Sequence, residues 1–146
     1  MSHNHPYPPA GLAPLVLALI ISLVLLIVDL PHERHAIDLL RPAGVLWISN
    51  ILIFAQWYWE IDGDGPILRH KHGHKAADFQ FPQQADGKAW APGFVDYLFL
   101  AFCSATALSP ADTVPLSRRA KLLMMVQASI SLLLIALVIS RSVNII

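Results

Sequence analysis

Hydrophobic residues in this chain are gathered into long unbroken blocks rather than narrow helical or strand stripes. Leu12 to Leu30 (LAPLVLALIISLVLLIVDL) carries no charge before Asp29, and about 20 apolar residues suffice to cross a bilayer as a helix. Pro14 falls in the first turn, where a missing N–H is tolerated. The block has no basic leader and no small-residue cleavage motif. A retained helix over 12–30 is therefore expected, not a signal peptide. Residues 1–11 (MSHNHPYPPAG) are short and Pro-rich, the composition of a flexible tail. A second block spans 42–60, with Trp47 near one end and Trp57, Tyr58 and Trp59 crowding the other. That is the aromatic belt expected where a helix meets lipid headgroups. The last block, 119–146, is preceded by basic residues around Arg118 and carries Arg141 towards its end. It predicts a third crossing helix.

One apolar stretch is too short for this scheme. Phe94 to Leu108 (FVDYLFLAFCSATAL) is about 15 residues long, below the 17–25 a crossing helix needs. Asp96 suits a helix N-terminus, where a carboxylate meets the positive dipole end. Pro110 stops the helix, because the residue before a proline is pushed out of the α region. Two arrangements fit: a re-entrant segment over 94–115 that enters the membrane and leaves again, or a short amphipathic helix at the interface.

Composition agrees with a membrane setting. The chain has 146 residues, 55% hydrophobic and 14% charged, with mean hydropathy +0.55. Soluble domains carry about 25% charged residues. The expected class is an all-α, multi-pass integral membrane protein, with the lipid bilayer as its surroundings. A formal net charge of zero points to no nucleic-acid partner. A single cysteine, Cys103, rules out an intrachain disulfide.

Polar residues inside the blocks are the candidate functional positions. Helical spacing puts Ser49, Gln56 and Glu60 on one face with Asn50 beside it, and Gln127, Ser131 and Val138 on another. Such side chains need partners at depth, either another helix or water in a pore. The polar loop 61–93 contains DGDGP (62–66), expected as a turn, since it shares Asp-x-Asp with calcium loops but lacks their other ligands. RHKHGHK (69–75) has His70, His72 and His74 at alternate positions. These are candidate transition-metal ligands, although flanking Arg and Lys oppose a cation and a solvated basic loop is the expectation. No nucleophile–base pair, metal quartet or phosphate-binding loop occurs, so neither an enzyme nor a cofactor is expected.

The order of crossing helix, polar loop, short helix, irregular segment and final helix resembles the pore domain of potassium-channel-like proteins. Thr106-Ala107-Leu108-Ser109-Pro110-Ala111-Asp112-Thr113-Val114-Pro115 aligns without a gap with the filter pattern T-T-V-G-Y-G-D-x-x-P. Thr106, Asp112 and Pro115 agree, and Leu108 replaces a valine. The chain also resembles an uncharacterised family of bacterial integral membrane proteins. That likeness is carried by WYWEIDGDGP, FQFPQ, PGFVDYLFLAF, ATALSPADTVPLSRRAKLLMMVQ and SRSVNII, over about Val45 to Ile146. The resemblance implies an architecture and a bacterial inner-membrane location, but no reaction.

The departure from the channel pattern limits what it can do. A potassium filter replaces the ion's hydration shell with backbone carbonyls, and its glycines reach conformations closed to other residues. Ser109, Pro110 and Ala111 stand at those positions, and proline fixes φ, so that ladder cannot form. The resemblance implies instead a poorly selective path for monovalent cations, lined by the hydroxyls of Thr106 and Ser109 with Asp112 adding negative charge. One copy supplies one loop, so a pore requires a homo-oligomer, a tetramer on the channel plan. The alternatives are a non-conducting scaffold that keeps the pore-loop fold, and metal handling through the histidine loop. Orientation stays open: the positive-inside rule puts the Lys- and Arg-rich loop in the cytoplasm, whereas the channel plan puts it outside.

Overall fold

A computed structural model describes residues 12–29, 36–86, 90–106 and 112–143. The apolar blocks become four helices: α1 (Leu12–Asp29), α2 (Ala36–Ile61), α5 (Phe94–Ala105) and α6 (Arg118–Val143). The loop between α2 and α5 adds two short helices, α3 (Pro66–Lys71) and α4 (Pro82–Ala85), after a 3-10 turn at Asp62–Asp64. The one sheet among the described residues is a two-residue antiparallel pair. In it β1 (Phe79–Gln80) sets Phe79 opposite Pro115 and Gln80 opposite Val114 of β2 (Val114–Pro115). The described residues are mostly helical, which fits the all-α class that the blocks predict.

Helix α2 starts earlier than expected, with Pro42 inside it rather than at its start. A proline so near the N-terminus removes a single ladder bond, and the good helix formers before it carry the helix through. Among the described residues one helix is long and apolar enough to cross a membrane, α6 over Arg118–Ser140, with 23 residues. Pro14–Leu25 of α1 and Phe94–Ala105 form shorter apolar runs, and α2 is diluted by Arg41, Asn50, Gln56 and Glu60.

The course of α5 organises the fold. Its first turn sits beside the end of α2, with Phe94 and Tyr97 in edge contact with Trp59 at 6.1 and 5.5 Å. Its last turn reaches Trp47, whose indole N–H donates to the Ala105 carbonyl at 3.5 Å. Twelve residues at about 1.5 Å each carry α5 roughly 18 Å along α2, and the upper part of α2 continues without it. By β2 the chain is back at the starting end, where Leu116 N–H donates to the Asp78 carbonyl at 2.8 Å. Helix α6 then runs antiparallel to α2, with Ser131 beside Asn50 and Gln127 beside Tyr58.

The core is formed where α2, α5, α6 and the loop meet, around Phe54, Tyr58, Phe79, Tyr97, Leu100 and Leu134. Ala55, Ala101 and Ala105 are buried there, and small residues let helix backbones approach closely. The outward faces are aliphatic: Leu17, Leu25, Val45, Ile48, Leu132 and Ile139 are all exposed.

Candidate functional site: the α5 hairpin and its two polar anchors

Two polar clusters hold α5, one at its base and one along its length. At the base, α2 ends at Ile61, leaving terminal carbonyls without intrahelical donors. Two arginines from distant segments supply them. Arg69 Nη1 donates to the carbonyls of Trp59 at 3.1 Å and Asp62 at 2.7 Å. Arg119 Nη2 donates to the Ile61 carbonyl at 3.1 Å. Cations at a helix C-terminus also meet the negative dipole end.

Arg69 departs from the expectation of a solvated basic loop over 69–75, which the exposed His70, Lys71, His72 and Lys75 otherwise fit. It is 2% exposed, and its guanidinium lies 4.7 Å from the Trp59 ring centre and 5.2 Å from that of Tyr97. The cause is local. Gly63, Asp64 and Gly65 have φ of 61°, 59° and 102°, so the chain reverses and α3 folds Arg69 back onto the end of α2. Lys71 and Lys75 stay exposed.

Asp62 and Asp78 complete the base. Asp62 Oδ1 accepts the N–H groups of Asp78 and Phe79 at 3.0 and 3.2 Å, and Oδ2 accepts the Tyr97 hydroxyl at 2.5 Å. This last bond pins the first turn of α5. Asp78 accepts a two-pronged contact from Arg119, Nε to Oδ1 at 2.6 Å and Nη2 to Oδ2 at 2.7 Å, and also the Gly63 N–H at 3.1 Å. Asp64 takes Arg119 Nη2 at 2.9 Å. Asp96 caps α5 by accepting the Gly93 N–H at 2.7 Å.

Burial alone would raise the Asp78 carboxyl pKa, but the hydrogen bonds and charge of Arg119, with Ser117 and the Gly63 N–H, outweigh it and hold the group below its ordinary 3.8. A depressed carboxyl contributes stability that is fully present at neutral pH and is lost as pH falls through the folded-state value. Stability followed against pH should therefore drop below about pH 4. Asp78→Asn should remove this part of the acid response and lower the neutral-pH stability.

The second anchor lies among the helices. Asn50 Nδ2 donates to Ser131 Oγ at 2.6 Å. The Tyr58 hydroxyl donates to Gln127 Oε1 at 2.5 Å, and Gln127 Nε2 donates to the Ala101 carbonyl of α5 at 2.8 Å. Asn50 and Gln127 are fully buried and Ser131 is 2% exposed. Gln127 therefore ties α2, α5 and α6 together. Gln127→Leu should leave the Tyr58 hydroxyl and the Ala101 carbonyl unpaired, at about 1–3 kcal/mol for each stranded group, read as a lower unfolding midpoint in detergent.

The remaining expected positions are distributed differently. Gln56 bonds Glu60 within α2 at 3.0 Å, and Ser49 is half-buried. The α2 side chains that bond α6 are Asn50 and Tyr58, two turns apart. A tyrosine in register with a buried asparagine was the available sequence signal. Thr106 donates its hydroxyl to the Phe102 carbonyl at 2.9 Å, closing the end of α5, and Asp112 is exposed. Ala107, Leu108, Ser109, Pro110 and Ala111 of the filter-like segment lie outside the described residues.

The histidines do not form the set that alternate spacing suggests. That spacing presumes an extended chain, whereas Gly73 at φ 68° and His74 at φ 54° follow a helix. His70 Nδ1 and His74 Nε2 come within 3.1 Å, and His72 is exposed apart from them. Among the described residues no three His, Cys, Asp or Glu side chains are grouped to hold a metal.

The stretches DGDGP, FQFPQ and VPLSRR thus converge on the base of one short helix. Comparison with protein-family models, curated proteins and solved structures gives no match to this chain.

Proposed function

We propose that the chain is a multi-pass membrane protein in which α1, α2 and α6 cross the bilayer and α5 is a re-entrant pore helix. Copies assemble, as a tetramer on the channel plan, around residues 106–112 to form a poorly selective path for monovalent cations. The observation that carries the membrane reading is the inversion of polarity: Asn50, Gln127 and Ser131 are buried while Leu132, Val45 and Leu17 are 68, 63 and 58% exposed. Monomeric soluble proteins rarely expose extended apolar patches, and intramembrane polar groups face the bundle interior.

The pore-loop reading is supported by the course of α5. It runs partway along α2, ends at Thr106, and the chain returns to the same end at β2. Backbone that turns at mid-depth requires protein or a water-filled cavity around it, and the negative end of the helix dipole favours a cation there. Purified protein in nanodiscs should be tetrameric, and liposomes containing it should pass potassium and sodium alike. Asp112→Asn should reduce the preference for cations over anions. A monomer, or flux no higher than in protein-free liposomes, overturns conduction.

One observation favours a second reading, a non-conducting scaffold with the same fold. Gln127 and Ser131, the polar positions of α6 for which either a pore or another helix was expected as partner, are spent on contacts within one chain. Tetramers without flux would select this reading.

A further inference from the structure

The histidine loop contains one close contact that neither anchor uses. Helix α3 ends in a turn where His74 N–H donates to the Arg69 carbonyl at 3.0 Å and Gly73 N–H to that of His70 at 3.1 Å. This is the paired bond of a Schellman ending, with a left-handed glycine, φ 68°, inside it. Such a turn brings the residue after the glycine back over the end of the helix. Here that residue is His74, and Gln84 of α4 holds its carbonyl through Nε2 at 2.9 Å. His70 Nδ1 and His74 Nε2 come to lie 3.1 Å apart.

We propose that His70 and His74 chelate one divalent copper ion, the first through Nδ1 and the second through Nε2. The inference is independent of the pore reading above. Three observations support it. First, the bite fits. With metal–imidazole bonds of about 2.0–2.1 Å, nitrogens 3.1 Å apart subtend roughly 100° at a shared ion. That is near the right angle between neighbouring ligands in tetragonal copper, which nitrogen sites bind most tightly among first-row divalent ions. Second, the pair is already arranged. The turn and Gln84 fix the backbone around His74, and neither ring bonds any side chain but the other among the described residues. The proton between the two nitrogens need only move to the other nitrogen of its own ring for both lone pairs to face the ion. Third, the site is open and its surroundings tolerate a cation. His70 is exposed and His74 half-buried, so water can take the remaining positions. Arg69 is turned inward onto the Trp59 and Asp62 carbonyls, and the charges of the exposed Lys71 and Lys75 are screened by solvent. His74 Nδ1 has no bonding partner, so the turn orients this ring in place of the carboxylate or carbonyl that backs a tighter site.

The test uses the full chain, purified in detergent and equilibrated with Cu2+. Bound metal is counted, and electron paramagnetic resonance reports the nitrogens around it. His3, His5, His32 and His35 are kept in every variant, so the site is read as a difference from wild type. His70→Ala and His74→Asn, the latter able to keep the left-handed backbone, should each weaken one wild-type Cu2+ site by about tenfold or more. The ion at that site should carry two imidazole nitrogens. His72→Ala should bind as wild type does. The metal-free variants should unfold at the wild-type midpoint, because His70 is exposed and His74 is held through its backbone. Wild-type affinity in either His70→Ala or His74→Asn overturns the chelate. An equal loss in His72→Ala assigns the ion to all three histidines and overturns the pair. One ion per two chains, with the mass doubling on metal addition, places the site between copies and overturns it as well.

Discussion

Asp62→Ala should destabilise the protein by about 3–5 kcal/mol, measured by thermal or chemical unfolding in detergent micelles. The carboxylate is 2% exposed and is the acceptor for the Asp78 and Phe79 N–H groups and the Tyr97 hydroxyl. Alanine strands all three donors, and a stranded buried donor costs about 1–3 kcal/mol. Part of the cost is relieved where water reaches the loop, so the sum stays below three full penalties. Asp62→Asn separates shape from charge. Its carbonyl can still accept the two N–H groups, and its amide can donate to the Tyr97 oxygen, so about 1–2 kcal/mol is expected. An Asp62→Ala protein within 1 kcal/mol of wild type would mean that the loop base does not hold α5.

The second large effect is expected for Arg69→Ala, at about 2–4 kcal/mol. Its guanidinium closes the Trp59 and Asp62 carbonyls at the end of α2 and stacks on Trp59 and Tyr97. Alanine removes both carbonyl bonds, the cation–π contacts and the volume between two rings. Arg69→Lys is the informative companion. An ammonium is a point charge that can reach one carbonyl but has no planar face to stack, so it should recover less than half of the loss. Full recovery by lysine would show that charge at the helix end, not the fork and the stacking, is what Arg69 supplies. The same unfolding measurement should leave Lys71→Ala unchanged, since that side chain is exposed.

Arg69 and Arg119 show where the sequence alone stops being informative. Arg69 sits in a run of Arg, Lys and His and carries every local mark of a solvated loop. Its burial follows from the left-handed residues at 63–65 and from rings contributed by α2 and α5. Arg119 is likewise one of several basic residues preceding an apolar block. Its carboxylate partners, Asp78 and Asp64, lie 41 and 55 residues away. For the anchor between the helices the residue types were legible, as Gln127, Ser131 and Asn50 stand out within apolar blocks. Their pairing was not, because a helical face can be assigned from one helix but its register against another cannot.

The sequence by itself determined the blocks, the shortness of the stretch that begins at Phe94 and the absence of glycine at 109–111. Hydropathy, helix length and proline geometry are properties of neighbouring residues, so they survive without knowledge of the rest of the chain. Only the tertiary structure decided that α5 lies alongside half of α2, that Asp62 reaches Tyr97 across 35 residues, and that Arg119 closes α2 across 58. These features depend on which donors and acceptors meet when apolar faces pack. A buried polar group takes whichever partner that packing brings within reach.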